Sequence, residues 1–257
     1  MKQNILFNIY VMSYRRSNKI LTKDLLEYCV YVVREEEAEA YMNAGITEML
    51  VIPHNATLKC GTPISSFTTT FYWIIENTPE DVICILDDDI QQFCYRLDTY
   101  TNIKTEFENY REIATSEIER IAQLLYDLNL GFACDNSQYA LYNYTQEFTF
   151  KGMPGGTRWI NKCALKAKYI PGDSAMSDID TVMQELLLNR IILQPRYFHS
   201  FAQKDVNDGG QSRSLSSRRK FLSAMKNKWL KYFDYDFNKN QAKINVCLLY
   251  TSDAADD

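Results

Sequence analysis

Five apolar residues in a row, Val82 to Leu86, run straight into three aspartates, Asp87, Asp88 and Asp89. An unbroken apolar run of this length suits a central strand buried on both faces, because a half-exposed strand would alternate. The aspartates mark its end. Upstream, the chain supplies the neighbours such a strand needs. Ile5 to Met12 reads as a first strand, Tyr28 to Val33 as a second, and Met49 to Ile52, ended by Pro53, as a third. Between them EEEAEAYMNAG reads as a short helix with Ala38, Tyr41 and Met42 inward and Gly45 as its stop. SSFTTTFYWIIEN reads as a helix capped by Ser65 or Ser66, with Phe67, Phe71, Ile74 and Ile75 at helical spacing. Strands separated by helices predict an α/β fold with a mostly parallel central sheet flanked by helices.

The second half is less regular. Residues 91–112 carry no clear period and read as an irregular excursion. Glu112 to Leu130 reads as a helix packed through Ile113, Ile118, Ile121, Leu124, Leu125 and Leu128, with Gly131 closing it. Residues 132–171 look strand-like, with turns at MPGG and PGD. Asp178 to Arg190 is helical again, facing inward through Ile179, Val182, Met183, Leu186 and Leu187, and Ile191 to Leu193 begins another strand. A last amphipathic helix over 215–232 places Phe221, Met225 and Trp229 four apart. The closing VCLLYTSDAADD fits no pattern and resembles translated sequencing-adapter read-through, so residues 246–257 are expected to be non-native. The expectation is a single domain over 1–245, with one half of the site in 1–90, the other in 91–212 and a basic helix over 213–233.

Composition narrows the chemistry. The seven cysteines, at 29, 60, 84, 94, 134, 163 and 247, form no CxxC pair, which predicts a reduced, cytoplasmic protein without a zinc ribbon. Two histidines, His54 and His199, are too few for a His-rich metal site. No apolar run approaches the roughly 20 residues of a membrane helix, and the first residues lack a signal-peptide pattern. The net charge of −5 gives the whole molecule no general attraction for nucleic acid.

Alternate residues of an extended segment point the same way, so Asp87 and Asp89 can converge on one point. Crowded carboxylates repel unless a cation lies between them, and hard oxygen donors select Mg²⁺ or Mn²⁺ over zinc. The alternative is a solvated acidic turn that caps a helix. Charge is also uneven. No acid occurs from Gly209 to Phe233, whereas Arg213, Arg218, Arg219, Lys220, Lys226, Lys228 and Lys231 fall between 213 and 231, with Trp229, Tyr232 and Phe233 interleaved. Such a run suits a DNA backbone with stacked bases, or simply the solvated face of a terminal helix.

A DxD-type motif after the fourth strand of an N-terminal βαβ array resembles the GT-A (Rossmann-like) glycosyltransferases. YVVREEEAEAYMNAG, then LVIPH, YWIIEN and ILDDDI, resemble the phage TET-associated glycosyltransferases, which are associated with sugar transfer onto hydroxymethylated pyrimidines of phage DNA. The resemblance spans about residues 5–210. It implies that Asp87 and Asp89 hold the metal on the diphosphate of a nucleotide sugar, with Asp88 near ribose or sugar. Ser13, Arg15, Arg16, Arg34 and Glu35 would line the nucleotide pocket. Related proteins often carry a basic or amide residue in the helix before the DxD strand; TTTFYW here has no charge, and Thr69 and Thr70 stand in that stretch. SDID, at 177–180, matches the acidic pair of inverting enzymes, with Asp178 as base and Asp180 as second choice, although Ser177 replaces the usual Glu and helix capping is the rival explanation. Gly155 and Gly156 of MPGGTRW would lie where donor sugar and acceptor meet, or make a plain hairpin turn. KDVNDGGQSR, 204–213, would be a lid. His199 is either a third metal ligand or a structural residue.

The resulting expectation is a metal-dependent transferase moving a sugar from a UDP-sugar to the hydroxymethyl group of a modified pyrimidine such as 5-hydroxymethylcytosine in phage DNA, inside the infected cell. The rivals are a glycan, lipid or protein acceptor, a nucleotide- or DNA-binding module without turnover, and a nucleotidyltransferase.

Overall fold

A computed structural model describes residues 5–97, 99–136, 146–172, 177–202, 215–237 and 241–245. The expected lid over 204–213, Arg213 and the 246–257 tail lie outside the described residues.

The first strands form as the apolar runs require: β1 (Phe7–Met12), β2 (Val30–Arg34), β3 (Met49–Ile52) and β4 (Val82–Asp87). All four are parallel, in spatial order β3-β2-β1-β4. A 3-10 turn, Glu35–Glu37, leads into helix α1 (Ala38–Asn43), which ends where Gly45 takes φ +84. Of its expected inner face Tyr41 is fully buried, but Met42 is 60% exposed. Helix α2 (Phe67–Asn77) starts at Ser66, whose hydroxyl accepts from the Thr69 amide at 3.2 Å, while the Ser66 amide donates to the Thr69 hydroxyl at 2.9 Å.

The region read as an excursion is ordered: β5 (Ile90–Arg96), β6 (Tyr100–Asn102) and α3 (Ile103–Glu106) lead into α4 (Tyr110–Asp127). β5 has buried residues at irregular intervals, which hid it from a period-two search. It lies between β6 and the later β11 (Phe198–Ala202), with a register shift at Phe201/Ala202 that breaks the alternation. Gly131 does not end α4. Asn129 makes the left-handed turn at φ 52, and Gly131 is where a Cβ would meet the Leu165 backbone at 2.7 Å and Glu185 Oε2 at 2.6 Å.

The main sheet is completed by β7 (Phe132–Cys134) and β9 (Thr157–Asn161), extending the order to β3-β2-β1-β4-β9-β7. β9 runs antiparallel to both neighbours, so the sheet is mixed and mostly parallel. Strand β8 (Phe148–Thr149) pairs with β10 (Gln194–Pro195), so the strand expected to begin at Ile191 begins three residues later; Leu193 itself only bridges to Ala133. Helix α5 (Ser177–Leu188) precedes it, and α6 (Leu215–Trp229) is followed by a hairpin, β12 (Phe233–Asp236) and β13 (Gln241–Ile244).

Alternation along β4 divides the core. Ile83 and Ile85 pack with Phe71 and Ile74 of α2, Val182 and Met183 of α5, and Leu222, Met225 and Trp229 of α6. Val82, Cys84 and Leu86 pack on the other face with Ile118, Ile121 and Leu125 of α4. Burying a large aliphatic side chain contributes about 1.5–3 kcal/mol, so a strand covered on both faces anchors the fold at every position. Among the described residues, no helix is long and apolar enough to cross a membrane.

Candidate active site

Parallel strands collect ligand groups at their carboxyl ends. Here β1 delivers Ser13, Arg15 and Arg16, β2 delivers Arg34 and Glu35, and β4 delivers the three aspartates. The Ser13 hydroxyl donates to Asp88 Oδ2 at 2.6 Å and lies 2.6 Å from the Tyr41 hydroxyl. The Arg16 guanidinium is buried, pairs with Asp88 and lies 3.5 Å from Asp89. Arg16 is therefore committed to the aspartates rather than held open for a phosphate. Arg15 adopts φ 57, an uncommon conformation for a non-glycine residue, and its amide donates to Glu37 at 3.0 Å. Its guanidinium lies over the Tyr14 ring.

Arg34 and Glu35 stand beside this group and serve the backbone. Arg34 donates to the Ile64 carbonyl at 2.8 Å and to the Thr70 hydroxyl at 3.2 Å. Glu35 accepts the His54 amide at 2.8 Å. Thr69 is used up in capping α2.

Sequence reasoning missed Arg158. It enters from β9, opposite Ile85 of β4, because an antiparallel strand carries its early residues to the edge where parallel strands end. It makes two hydrogen bonds to Asp87, at 2.9 and 3.2 Å, and lies 3.8 Å from Asp178. The Phe67 ring covers it, 5.4 Å from centroid to guanidinium carbon. Burial alone would lower its pKa; Asp87, Asp178 and Asp135 together hold it raised. Arg158 thus joins the aspartate triplet to the candidate base. Asp178 is pushed up by burial, against the opposing pull of Arg158.

Asp135 was missed as well. It is fully buried after β7 and accepts the Ser200 amide at 2.6 Å, the Ser200 hydroxyl at 2.5 Å and the Thr157 amide at 3.0 Å. Gly155 and Gly156 are explained by this network. A Cβ on Gly155 would collide with the Asp135 carboxylate, and one on Gly156 would sit 3.1 Å from the Ser200 hydroxyl. Their bareness makes room for the Asp135 and Ser200 side chains.

Asp180, Lys226, Lys228 and His199 each have partners inside the protein. Asp180 is buried and saturated: it accepts from Gln184 at 2.7 Å, Lys228 at 2.8 Å and Trp229 Nε1 at 2.7 Å. It pins α6 to α5. Lys228 accordingly points into the protein, while Lys226, whose side chain is half exposed, donates to the Phe233 carbonyl and Asp234. His199 is sealed between Tyr100 and the Ser200 carbonyl and joins no metal-holding cluster among the described residues. Arg219 and Lys220 are exposed; the side chain of Arg218 lies outside the described residues.

Among the described residues no group of three or more His, Cys, Asp or Glu is arranged to hold a metal ion. Magnesium-type sites on nucleotides need only one or two carboxylates, the rest being water and phosphate. Charge agrees with such a site. In the ion pairs among the described residues, four carboxylates (Asp87, Asp88, Asp89 and Asp178) face two guanidinium groups, Arg16 and Arg158, which leaves an excess of about two negative charges there. Asp87 and Asp89 therefore fit a divalent cation in donor type, with Asp87 held by Arg158 and Asp89 lying near Arg16.

The same excess has a measurable pH signature. Burial pushes Asp88 up to about 6, against the pull of Ser13 and Arg16 and with the help of Asp89. A raised carboxyl favours the folded state while it is protonated. That stabilisation is full below the ordinary value of 3.8 and is lost as pH rises through about 6. The metal-free protein is therefore expected to lose melting temperature between about pH 4 and 7 by more than its Asp88→Asn variant. Parallel melting curves for the two proteins would refute it.

No protein-family model matches the chain, and no curated protein matches it. Solved structures do. A mannosyltransferase, PcManGT from Pyrobaculum calidifontis, in complex with GDP-Man and Mn²⁺, shares the fold at a TM-score of 0.51 and 11% identity, over 97% of this chain and 69% of that one. A mycobacterial protein gives 0.51 and 11%, over 95% and 84%. Glucosyl-3-phosphoglycerate synthase from Mycobacterium tuberculosis, in complex with Mg²⁺ and uridine diphosphate, gives 0.46 and 10%, over 94% and 87%. The class defined is α/β with a mixed, mostly parallel sheet flanked by helices. It is the GT-A fold, seen in glycosyltransferases.

Proposed function

We propose that this chain is a glycosyltransferase that uses a nucleotide-sugar donor, a UDP-sugar, with Mn²⁺ or Mg²⁺. The observation that carries this reading is the joining of Asp87 to Asp178 through Arg158, which puts a candidate cation holder and a candidate base in one cluster. Asp87 and Asp89 are assigned to the cation, and Ser13, Arg15 and Asp88 to the nucleotide side. When bound, the cation supplies positive charge against the departing diphosphate. Asp178 takes the proton of the acceptor hydroxyl as that oxygen bonds to the anomeric carbon and the bond from that carbon to the diphosphate oxygen breaks. Its raised pKa suits a group that must accept a proton. Residues 1–245 act as one domain in this reading.

For the acceptor, the reading is the hydroxymethyl group of a modified pyrimidine in phage DNA. Support comes from the sequence resemblance and from the exposed Arg219 and Lys220 on α6. A base inside a duplex must be flipped out or met on a single strand before its hydroxymethyl group can reach Asp178. Labelled UDP-sugar should transfer to hydroxymethylated DNA and not to plain DNA. Reversing both Arg219 and Lys220 to Glu should reduce DNA glycosylation about tenfold and flatten its salt dependence. Hydrolysis of free donor should be unchanged. Equal loss of both activities would remove the DNA reading, and donor hydrolysis without transfer to any DNA would favour another acceptor.

A further inference from the structure

The buried guanidinium of Arg158 occupies the carboxylate that the proposed cation needs. It takes both oxygens of Asp87, at 2.9 and 3.2 Å, and has Asp178 as a second anion at 3.8 Å. It cannot swing to solvent. Its backbone is paired to Ile85 on one side and Cys134 on the other, its side chain is 3% exposed, and Phe67 covers it. Arg16 stands in the same relation to Asp88 and Asp89. A dication approaching the aspartates alone therefore finds a cluster short of positive charge as a whole, but one whose Asp87 and Asp88 oxygens are already held by two fixed guanidinium groups.

We infer that Arg158 is a resident counter-ion that makes cation capture conditional on the nucleotide diphosphate. The inference rests on the reading of Asp87 and Asp89 as cation holders. Without nucleotide, Arg158 keeps Asp87 neutralised and repels a second cation. With nucleotide, the diphosphate brings negative charge that offsets the fixed guanidinium charge through space and adds hard oxygen ligands for the metal. Donor and metal then bind together, and the metal-free protein keeps its acidic cluster from binding stray cations. Arg158 acts through Asp87 and is a positioning residue.

Mn²⁺ titrations of the full chain, following the resonance of free Mn²⁺, test this without any turnover. The wild-type protein should bind Mn²⁺ at least about tenfold more tightly with UDP present than without it. Arg158→Met should raise Mn²⁺ affinity without UDP about tenfold and shrink the UDP effect by a similar factor. Arg158→Lys keeps one charge but not the two-pronged grip on Asp87, and should fall between. If the methionine variant does not fold by its melting curve, the lysine variant decides. A folded variant with unchanged Mn²⁺ affinity, while UDP still promotes Mn²⁺ binding in the wild type, overturns the inference and leaves the proposed function standing. Absence of Mn²⁺ binding in wild type and variants alike, with UDP or with GDP, overturns both.

Discussion

Asp178→Asn is expected to lower the rate of sugar transfer about a hundred- to ten-thousand-fold, the range usual for removing a general base. Asparagine keeps the shape of the side chain and can still accept the Ile179 amide that Asp178 Oδ1 receives at 2.8 Å. It cannot take a proton. Arg158 keeps its two bonds to Asp87, so the cluster should stay assembled and UDP affinity should change little. The split is the test: single-turnover transfer falls while UDP binding, followed by calorimetry, is nearly constant. Transfer at the wild-type rate would end the assignment of Asp178 as base. A loss of UDP binding equal to the loss of rate would move Asp178 from proton transfer to donor binding.

The largest effect on stability is expected at Asp135. Asp135→Ala strips the partner from two buried amides and a hydroxyl, those of Thr157 and Ser200, and removes an anion from beside Arg158. Buried donors left unpaired cost about 1–3 kcal/mol each, and breaking a buried charge network costs about 3–5 kcal/mol. For a chain of this size, such a loss corresponds to roughly 6–20 °C in melting temperature. Thermal unfolding followed by circular dichroism measures it. A shift of a degree or two would mean that the network is solvated, and the account given of Gly155 would fail with it.

Much of the N-terminal half was legible because its signals are local. An unbroken apolar strand, a serine cap before an aromatic helix and a glycine at φ +84 each declare themselves within a few residues. β5 was not legible, because its partners, β6 and β11, include one about 100 residues away and the register shift there hides the alternation. The candidate site divides the same way. The aspartate triplet stands out in the sequence, whereas Arg158 sits in TRWIN, an ordinary strand. Its importance comes from strand direction: only an antiparallel β9 brings an early residue of that strand to the end of β4. Nothing within the segment states that direction. Asp135 was missed for a related reason, since an aspartate after a short strand usually marks a turn, and its partners arrive from β9 and β11. The partners of Asp180 on α6 were not legible because spacing along a helix cannot tell a carboxylate facing substrate from one facing another helix.

The contact of Asp180 with Lys228 and Trp229 bears on how shortened versions of this chain would be interpreted. Cutting away the last helix would strand a carboxylate beneath the surface, two positions from Asp178, and would bare the hydrophobic seat of Leu222 and Met225. An inactive truncation would then report a collapsed catalytic wall, whatever the helix contributes to gripping an acceptor. Only side chains on its outer surface, altered one or two at a time, separate those two contributions.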